Sequence, residues 1–142
     1  MLTTALALLA LASTDAGAAI PNGGAIEIEV ENVRSADGFV LVQLCPRTEF
    51  LEKCVIGGRV PARAGSVSIR LAAVPPGDYA AMAFHDKNGN GTLDRWLGVP
   101  REDIGFSRMP RLPFRPPRFN DADFAHGAAD QKVTVRLSNY FG

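Results

Sequence analysis

The sequence has few of the residues that mark catalytic, metal-binding or membrane-spanning proteins. It contains two cysteines, two histidines and one tryptophan among 142 residues. Its 15 basic and 15 acidic side chains balance, so the protein has no broad positive field to attract nucleic acid or an anionic membrane. No segment after residue 18 has the roughly 20 apolar residues that a transmembrane helix needs. These shortages exclude nucleic-acid-binding and membrane-spanning classes and leave one small domain.

The longest apolar run lies at the N-terminus, from residue 2 to residue 12. It is too short to cross a bilayer, and small residues follow it. Ala16-Gly17-Ala18 fits the pattern that signal peptidase reads. No Lys or Arg precedes the run, and an apolar first strand is the alternative. We predict that residues 1–18 are a signal peptide, that residues 19–142 form a single mature domain, and that the protein is periplasmic or extracellular.

The two cysteines are Cys45 and Cys54. An even number of cysteines in an exported protein favours a disulfide. A zinc site is not expected, because two thiols at this spacing have no companion ligands. Free thiols are the alternative, and we predict a disulfide between Cys45 and Cys54.

Most of the remaining sequence predicts strands. Ile26, Ile28 and Val30 alternate with glutamates, as a half-buried strand requires. An Asp-Gly turn and a second alternating segment, residues 39–45, follow, which predicts an antiparallel hairpin. Further strands are predicted at residues 66–71 and 132–137, and a central strand buried on both faces at residues 79–84. Residues 46–54 suit one helical turn, and residues 55–60, which contain two glycines, suit a weak strand or a loop.

No helical periodicity of useful length follows the signal. The predicted fold class is therefore all-β, a single antiparallel β-sandwich of the immunoglobulin-like or transthyretin-like kind. Residues 85–131 form one long irregular region, rich in Gly, Pro, Asn, Asp and Arg. Because a structureless run of this length is unusual in a compact domain, we expect a short strand or turn near residues 119–125.

The loop after the buried strand has the spacing of an oxygen-rich cation site. Carboxylate and amide side chains recur at every second residue beside two glycines, and Ca²⁺ takes six to eight oxygens. The opening matches an EF-hand loop, but Leu97 stands where that loop has its bidentate Glu. One interpretation is a calcium site, and the other is an Asx-rich turn that bonds its own backbone. The predicted calcium ligands are Asp86, Asn88, Asn90, Asp94 and a backbone carbonyl near Thr92.

No catalytic constellation is evident. His85 and Asp86 are adjacent on a strand, so their side chains point to opposite faces. Ser107 lacks the context of a nucleophile elbow. We therefore predict that the protein is not an enzyme and that His85 is a structural histidine bonded to backbone, with a small secreted hydrolase using His85 as the alternative. We expect His126 at the surface.

Large apolar residues in the long irregular region have two interpretations. They could line a ligand groove, which would make the protein a carbohydrate- or peptide-binding sandwich that uses Trp96 and neighbouring aromatics. The favoured interpretation is that they tie the region to the sandwich, because a long segment must bury something to be ordered. These residues are Trp96, Leu97, Ile104, Phe106, Phe114 and Phe119.

Several separated blocks resemble one bacterial family. They include VPPGDY at residues 74–79, FHD at 84–86, NGNG at 88–91, LGVP at 97–100 and GFS at 105–107. In this order they are similar to domain-of-unknown-function family 2141, and the resemblance covers residues from about 25 to 138. It implies an exported β-sandwich without an established activity, so it assigns no catalytic residue. The cysteine pair departs from the family pattern.

These observations predict an exported, non-enzymatic binding or structural module of the cell envelope. Calcium is the one cofactor that the sequence suggests, and it suggests no particular partner, ligand or oligomeric state.

Overall fold

The computed structural model describes residues 23–93, 95–96 and 99–140. The predicted signal peptide therefore lies outside the described residues. The strands are β1 (Ile26–Val33), β2 (Phe39–Cys45), β3 (Ile56–Pro61), β4 (Gly65–Leu71), β5 (Gly77–Asp86), β6 (Arg95–Trp96), β7 (Val99–Pro100), β8 (Ile104–Phe106), β9 (Asp123–His126) and β10 (Gln131–Arg136). A 3₁₀ turn spans Arg47–Glu49, and a short helix, α1, spans Phe119–Ala122.

Two main sheets face each other. The first sheet has the order β10-β1-β4, and the second has the order β3-β2-β5-β8, with β9 also paired to β5. Strands β6 and β7 form a small pair of their own. The all-β sandwich class is thus confirmed. The sheets are not purely antiparallel, however, because β1 and β10 run parallel, from Ile26 opposite Gln131 to Glu31 opposite Arg136.

The predicted hairpin between β1 and β2 is wrong, since the two strands lie in different sheets. Residues 34–38 cross between the layers and are held on the second sheet. The Asp37 carbonyl bonds Nε2 of His85 at 2.6 Å, and the Gly38 carbonyl accepts the Ala62 N–H. Gly38 has φ +68°, and a Cβ there would lie 2.0 Å from the carbonyl oxygen of Asp86. This turn therefore places the apolar faces of β1 and β2 opposite each other instead of side by side.

Strand β5 is buried on both faces, as predicted, because it separates two hydrophobic clusters. Ala81 and Ala83 face the main core between the sheets. Ala80, Met82 and Phe84 face the other way, into an outer cluster that the long irregular region covers. The covering residues of this outer cluster are Ile104, Phe106, Phe119 and Ala122, with Phe50, Leu112 and Tyr140 packed against them.

The structure shows what the shorter predicted segments form. The helical turn within residues 46–54 is present as the 3₁₀ turn, and the glycine-containing segment is a strand, β3, paired along β2. The segment near residues 119–125 forms α1 followed by β9, which pairs with the first half of β5. Among the described residues, no helix is long and apolar enough to cross a membrane.

Candidate functional site

A disulfide joins Cys45 and Cys54, with their Cα atoms 5.2 Å apart. It closes a loop over the outer cluster. Phe50 in this loop meets the rings of Phe106 and Phe119 edge-on, with centroids 6.0 and 5.9 Å away. Leu51 follows with φ +63° and is 44% exposed. The predicted bridge is confirmed, and it holds a partly exposed apolar side chain at the surface of the long region.

The loop after β5 bonds its own backbone. Asp86 is fully buried, and its two carboxylate oxygens accept N–H groups from Asn90 at 3.2 Å and Gly91 at 2.7 Å. The side-chain oxygen of Asn88 also accepts from the Asn90 N–H, and that of Asn90 accepts from the Thr92 N–H. These bonds form the Asx-rich turn that was one of the two interpretations.

A calcium role for this loop stays a prediction. The proposed ligand Asp94 lies outside the described residues. Within the described ranges, no group of three or more His, Cys, Asp and Glu side chains is placed to hold a metal ion.

Both histidines are structural. His85 is fully buried, its Nε2 donates to the Asp37 carbonyl, and its backbone N–H donates to the Asp103 carbonyl at 2.9 Å. His85 is therefore the backbone-bonded histidine that the sequence predicted. The surface position predicted for His126 is wrong. Its side chain bonds Gln131 and the Gly24 carbonyl, because β9 packs beneath the chain segment that enters β1.

Ser107 completes the hydrogen bonding of β5 where its neighbours change. One edge of β5 pairs with β9 up to Ala80 and with β8 from Met82 onward. Ala81 lies between these two stretches. Its N–H donates to Oγ of Ser107 at 2.9 Å, and this hydroxyl donates to the Ala122 carbonyl at 2.6 Å. The fully buried hydroxyl thus links β5 to α1 and has no exposure to a substrate.

We expect the substitution Ser107→Ala to lower the free energy of unfolding by about 1 to 3 kcal/mol, because it leaves the buried N–H of Ala81 without its acceptor. Urea denaturation measures this change. Ser68→Ala, at an exposed position on β4, is the matched control and should change stability by less than about 0.5 kcal/mol. Equal effects of the two substitutions would show that the hydroxyl has no such role.

An apolar concavity, here called the apolar cleft, lies between the disulfide loop and the long region. Its volume is about 440 Å³, within the range of small-molecule sites. Prolines 113, 116 and 117 form one part of its lining, and the rings of Phe106, Phe114 and Tyr140 form another. Leu51, Pro100 and two arginines complete it. Burial raises the pKa of Tyr140, so its phenol is neutral at ordinary pH and can donate a hydrogen bond.

An ion pair fixes the proline wall of this cleft. Two guanidinium nitrogens of Arg115 bond the two carboxylate oxygens of Asp121, at 2.7 and 3.0 Å. Asp121 also accepts the N–H of Arg118 at the start of α1. These bonds, that from Arg115 first, lower the pKa of Asp121 to about 2. The carboxylate therefore stays ionised, and the pair stays intact, until the pH falls to about that value.

A second, polar concavity adjoins the apolar cleft. This polar cleft has a volume of about 530 Å³ and is lined by Asn88, Arg95, Arg101 and Glu102. Arg95 lines both concavities, so the two clefts meet at this residue. The sequence singled out Asn88 as a metal ligand but gave no indication of the arginines. Asn88 and the two arginines come together only because of the path that the long irregular region takes.

The groove-lining interpretation of the apolar residues holds for only some of them. Ile104 and Phe119 are buried in the outer cluster, as the tying interpretation expects. Phe106 is buried there too, although it also contributes to the apolar cleft. Phe114 is different, since its side chain is fully exposed. The side chain of Trp96 and all of Leu97 lie outside the described part of the chain.

Comparison with known proteins gives one match. A family model described as an uncharacterized protein conserved in bacteria, DUF2141, matches residues 28–134. No curated protein and no solved structure matches the chain. The matched residues run from within β1 to within β10 and so include most of both sheets, the disulfide loop and the lining of both clefts except Tyr140. The chain therefore belongs to the DUF2141 family of uncharacterised bacterial proteins.

Proposed function

We propose that this protein is an exported, non-enzymatic binding module whose ligand occupies the apolar cleft. The observation that carries the proposal is Phe114, a large aromatic side chain that is fully exposed at the edge of a concavity lined by prolines and other rings. An exposed apolar patch of this kind on a small protein is typical of a binding surface. A cleft that is mostly apolar, with a few polar groups, is the usual form of a small-molecule site.

The chemistry of the cleft supports binding over catalysis. Among the described residues that line it there is no His, Cys, Ser, Asp or Glu side chain. His85 and Ser107, the two candidates for a hydrolase, are fully buried, and Nε2 of His85 and the hydroxyl of Ser107 are bonded to backbone groups. A hydrolase would need a titratable pair within reach of a substrate. The cleft is instead lined by apolar area, the phenol of Tyr140 and two guanidinium groups, of which that of Arg115 is bonded to Asp121.

Export is supported by the N-terminal sequence and by the disulfide. The apolar run and the Ala16-Gly17-Ala18 pattern suit signal peptidase. Disulfides persist in oxidising compartments such as the periplasm, and one joins Cys45 and Cys54 here. The carbohydrate-binding alternative depends on Trp96, whose side chain lies outside the described residues, so it stays a prediction.

The test uses a neutral apolar dye, N-phenyl-1-naphthylamine, whose fluorescence rises in apolar surroundings. We expect saturable binding to residues 19–142, and we expect Phe114→Ala to weaken it roughly tenfold, as loss of an aromatic anchor does. Because Phe114 is exposed, its removal should leave the unfolding midpoint unchanged. Val55→Ala is the control, since Val55 is also exposed but lies outside the apolar cleft. Absence of saturable binding, or an equal loss in both variants, would contradict the proposed function.

A further inference from the structure

The apolar cleft and the polar cleft are neighbours. Arg95 lines both of them, so the two clefts lie on either side of one side chain. Each concavity alone has a volume of several hundred cubic ångströms, which is the size range of small-molecule sites. A molecule that matches both must be apolar at one end and polar at the other.

The charges of the polar cleft indicate the sign of that polar end. Two guanidinium groups and one carboxylate line it, and Glu102 is only 8% exposed whereas Arg95 and Arg101 are both exposed. Arg115, in the apolar cleft, already has its charge compensated by the two bonds to Asp121. Arg101 therefore places an exposed positive charge at the polar end of the site.

Arg101 is the side chain best placed to bind an anionic group of a ligand. The guanidinium groups of Arg108 and Arg115 each have a carboxylate within 4.0 Å. Within the described ranges, the guanidinium of Arg101 has none. The backbone of Arg101 is fixed, because the Asn139 side chain donates to its carbonyl at 2.9 Å. The planar guanidinium matches carboxylate, sulfate and phosphate groups through paired hydrogen bonds.

We propose that the ligand is an anionic amphiphile, with its anionic head group on Arg101 and its apolar chain in the apolar cleft. This inference rests on the proposed function, because it assumes that the apolar cleft is the binding site. Glu102 opposes an anion at the same place, but its carboxylate is buried whereas the guanidinium of Arg101 is exposed. The site therefore selects by charge at one end and by apolar contact at the other.

The experiment measures displacement of N-phenyl-1-naphthylamine by three amphiphiles with the same chain and different heads. These are dodecanoate, dodecyl maltoside and dodecyltrimethylammonium, each below its micelle concentration. We expect dodecanoate to bind roughly fivefold more tightly than the other two, as one exposed charge pair allows. High salt should reduce this preference, because it screens exposed charges.

The substitution Arg101→Gln should abolish the preference for dodecanoate while it leaves the affinity for the neutral dye unchanged. Arg111→Gln is the matched control, since Arg111 is exposed on the same long region and lines neither cleft. Equal binding of the three amphiphiles, a preference for the cation, or a preference that survives Arg101→Gln would overturn the inference and leave the proposed function standing. Failure of the neutral dye itself to bind saturably would overturn the proposed function.

Discussion

Replacement of both cysteines by serine is expected to lower the free energy of unfolding by about 2.7 kcal/mol, the loop-closure value for a bridge of this span. The disulfide joins residues nine positions apart, so its loss frees a short loop in the unfolded chain. In the folded protein the same loop places Phe50 between Phe106 and Phe119. Its release would loosen the outer cluster, and it would also free Leu51, which lines the apolar cleft.

The measurement is urea denaturation of the double variant Cys45→Ser/Cys54→Ser and of the natural sequence, each with and without dithiothreitol. The natural protein should lose stability on reduction, and the double variant should not respond to the reductant. Dye affinity should fall in the double variant, since Leu51 is no longer held at the cleft. A double variant as stable as the oxidised natural protein would contradict a stabilising role for the bridge.

Gly105→Ala is expected to destabilise the protein by about 3 kcal/mol, at the upper end of the cost of overpacking, because rigid backbone leaves no room for a methyl group. A Cβ at Gly105 would lie 2.2 Å from the carbonyl oxygen of Arg136 and 3.0 Å from a methyl group of Val135. Here β8, the last strand of the second sheet, meets the end of β10. Two hydrogen bonds of 2.9 Å between Ile104 and Ser138 tie the sheets together beside it.

The control for this substitution is Gly127→Ala, because a Cβ at Gly127 meets nothing within 4 Å. It should stay within about 0.5 kcal/mol of the natural protein, as surface substitutions usually do. Thermal unfolding followed by circular dichroism, together with soluble yield, compares the two. If Gly105→Ala matched the control, the close approach of β8 and β10 would not exist in solution.

The strands could be predicted because their pattern is local. Ile26, Ile28 and Val30 alternate with glutamates, and all three are fully buried in the main core. The continuous apolar segment of β5 likewise predicted burial on both faces, since a strand with two apolar faces must have a cover on each. The cover proved to be the long irregular region, in which Ile104, Phe106 and Phe119 are buried as the tying interpretation required.

Pairing partners could not be predicted in the same way. The Asp37-Gly38 turn favours a hairpin by its local chemistry. In the folded chain, contacts of that turn with His85 and Ala62, far away in sequence, direct β2 into the other sheet. Ser107 shows the same limit, because its hydrogen bonds to Ala81 and Ala122 exist only where three elements converge.

The sequence by itself determined the all-β class, the burial of each alternating strand and the disulfide. Each of these depends on residues that are neighbours along the chain or on the compartment in which a cysteine pair persists. Tertiary structure alone decided the parallel pairing of β1 with β10, the burial of His126, and the meeting of the apolar and polar clefts at Arg95. These features join segments tens of residues apart, and no local preference records which distant segments will share a surface.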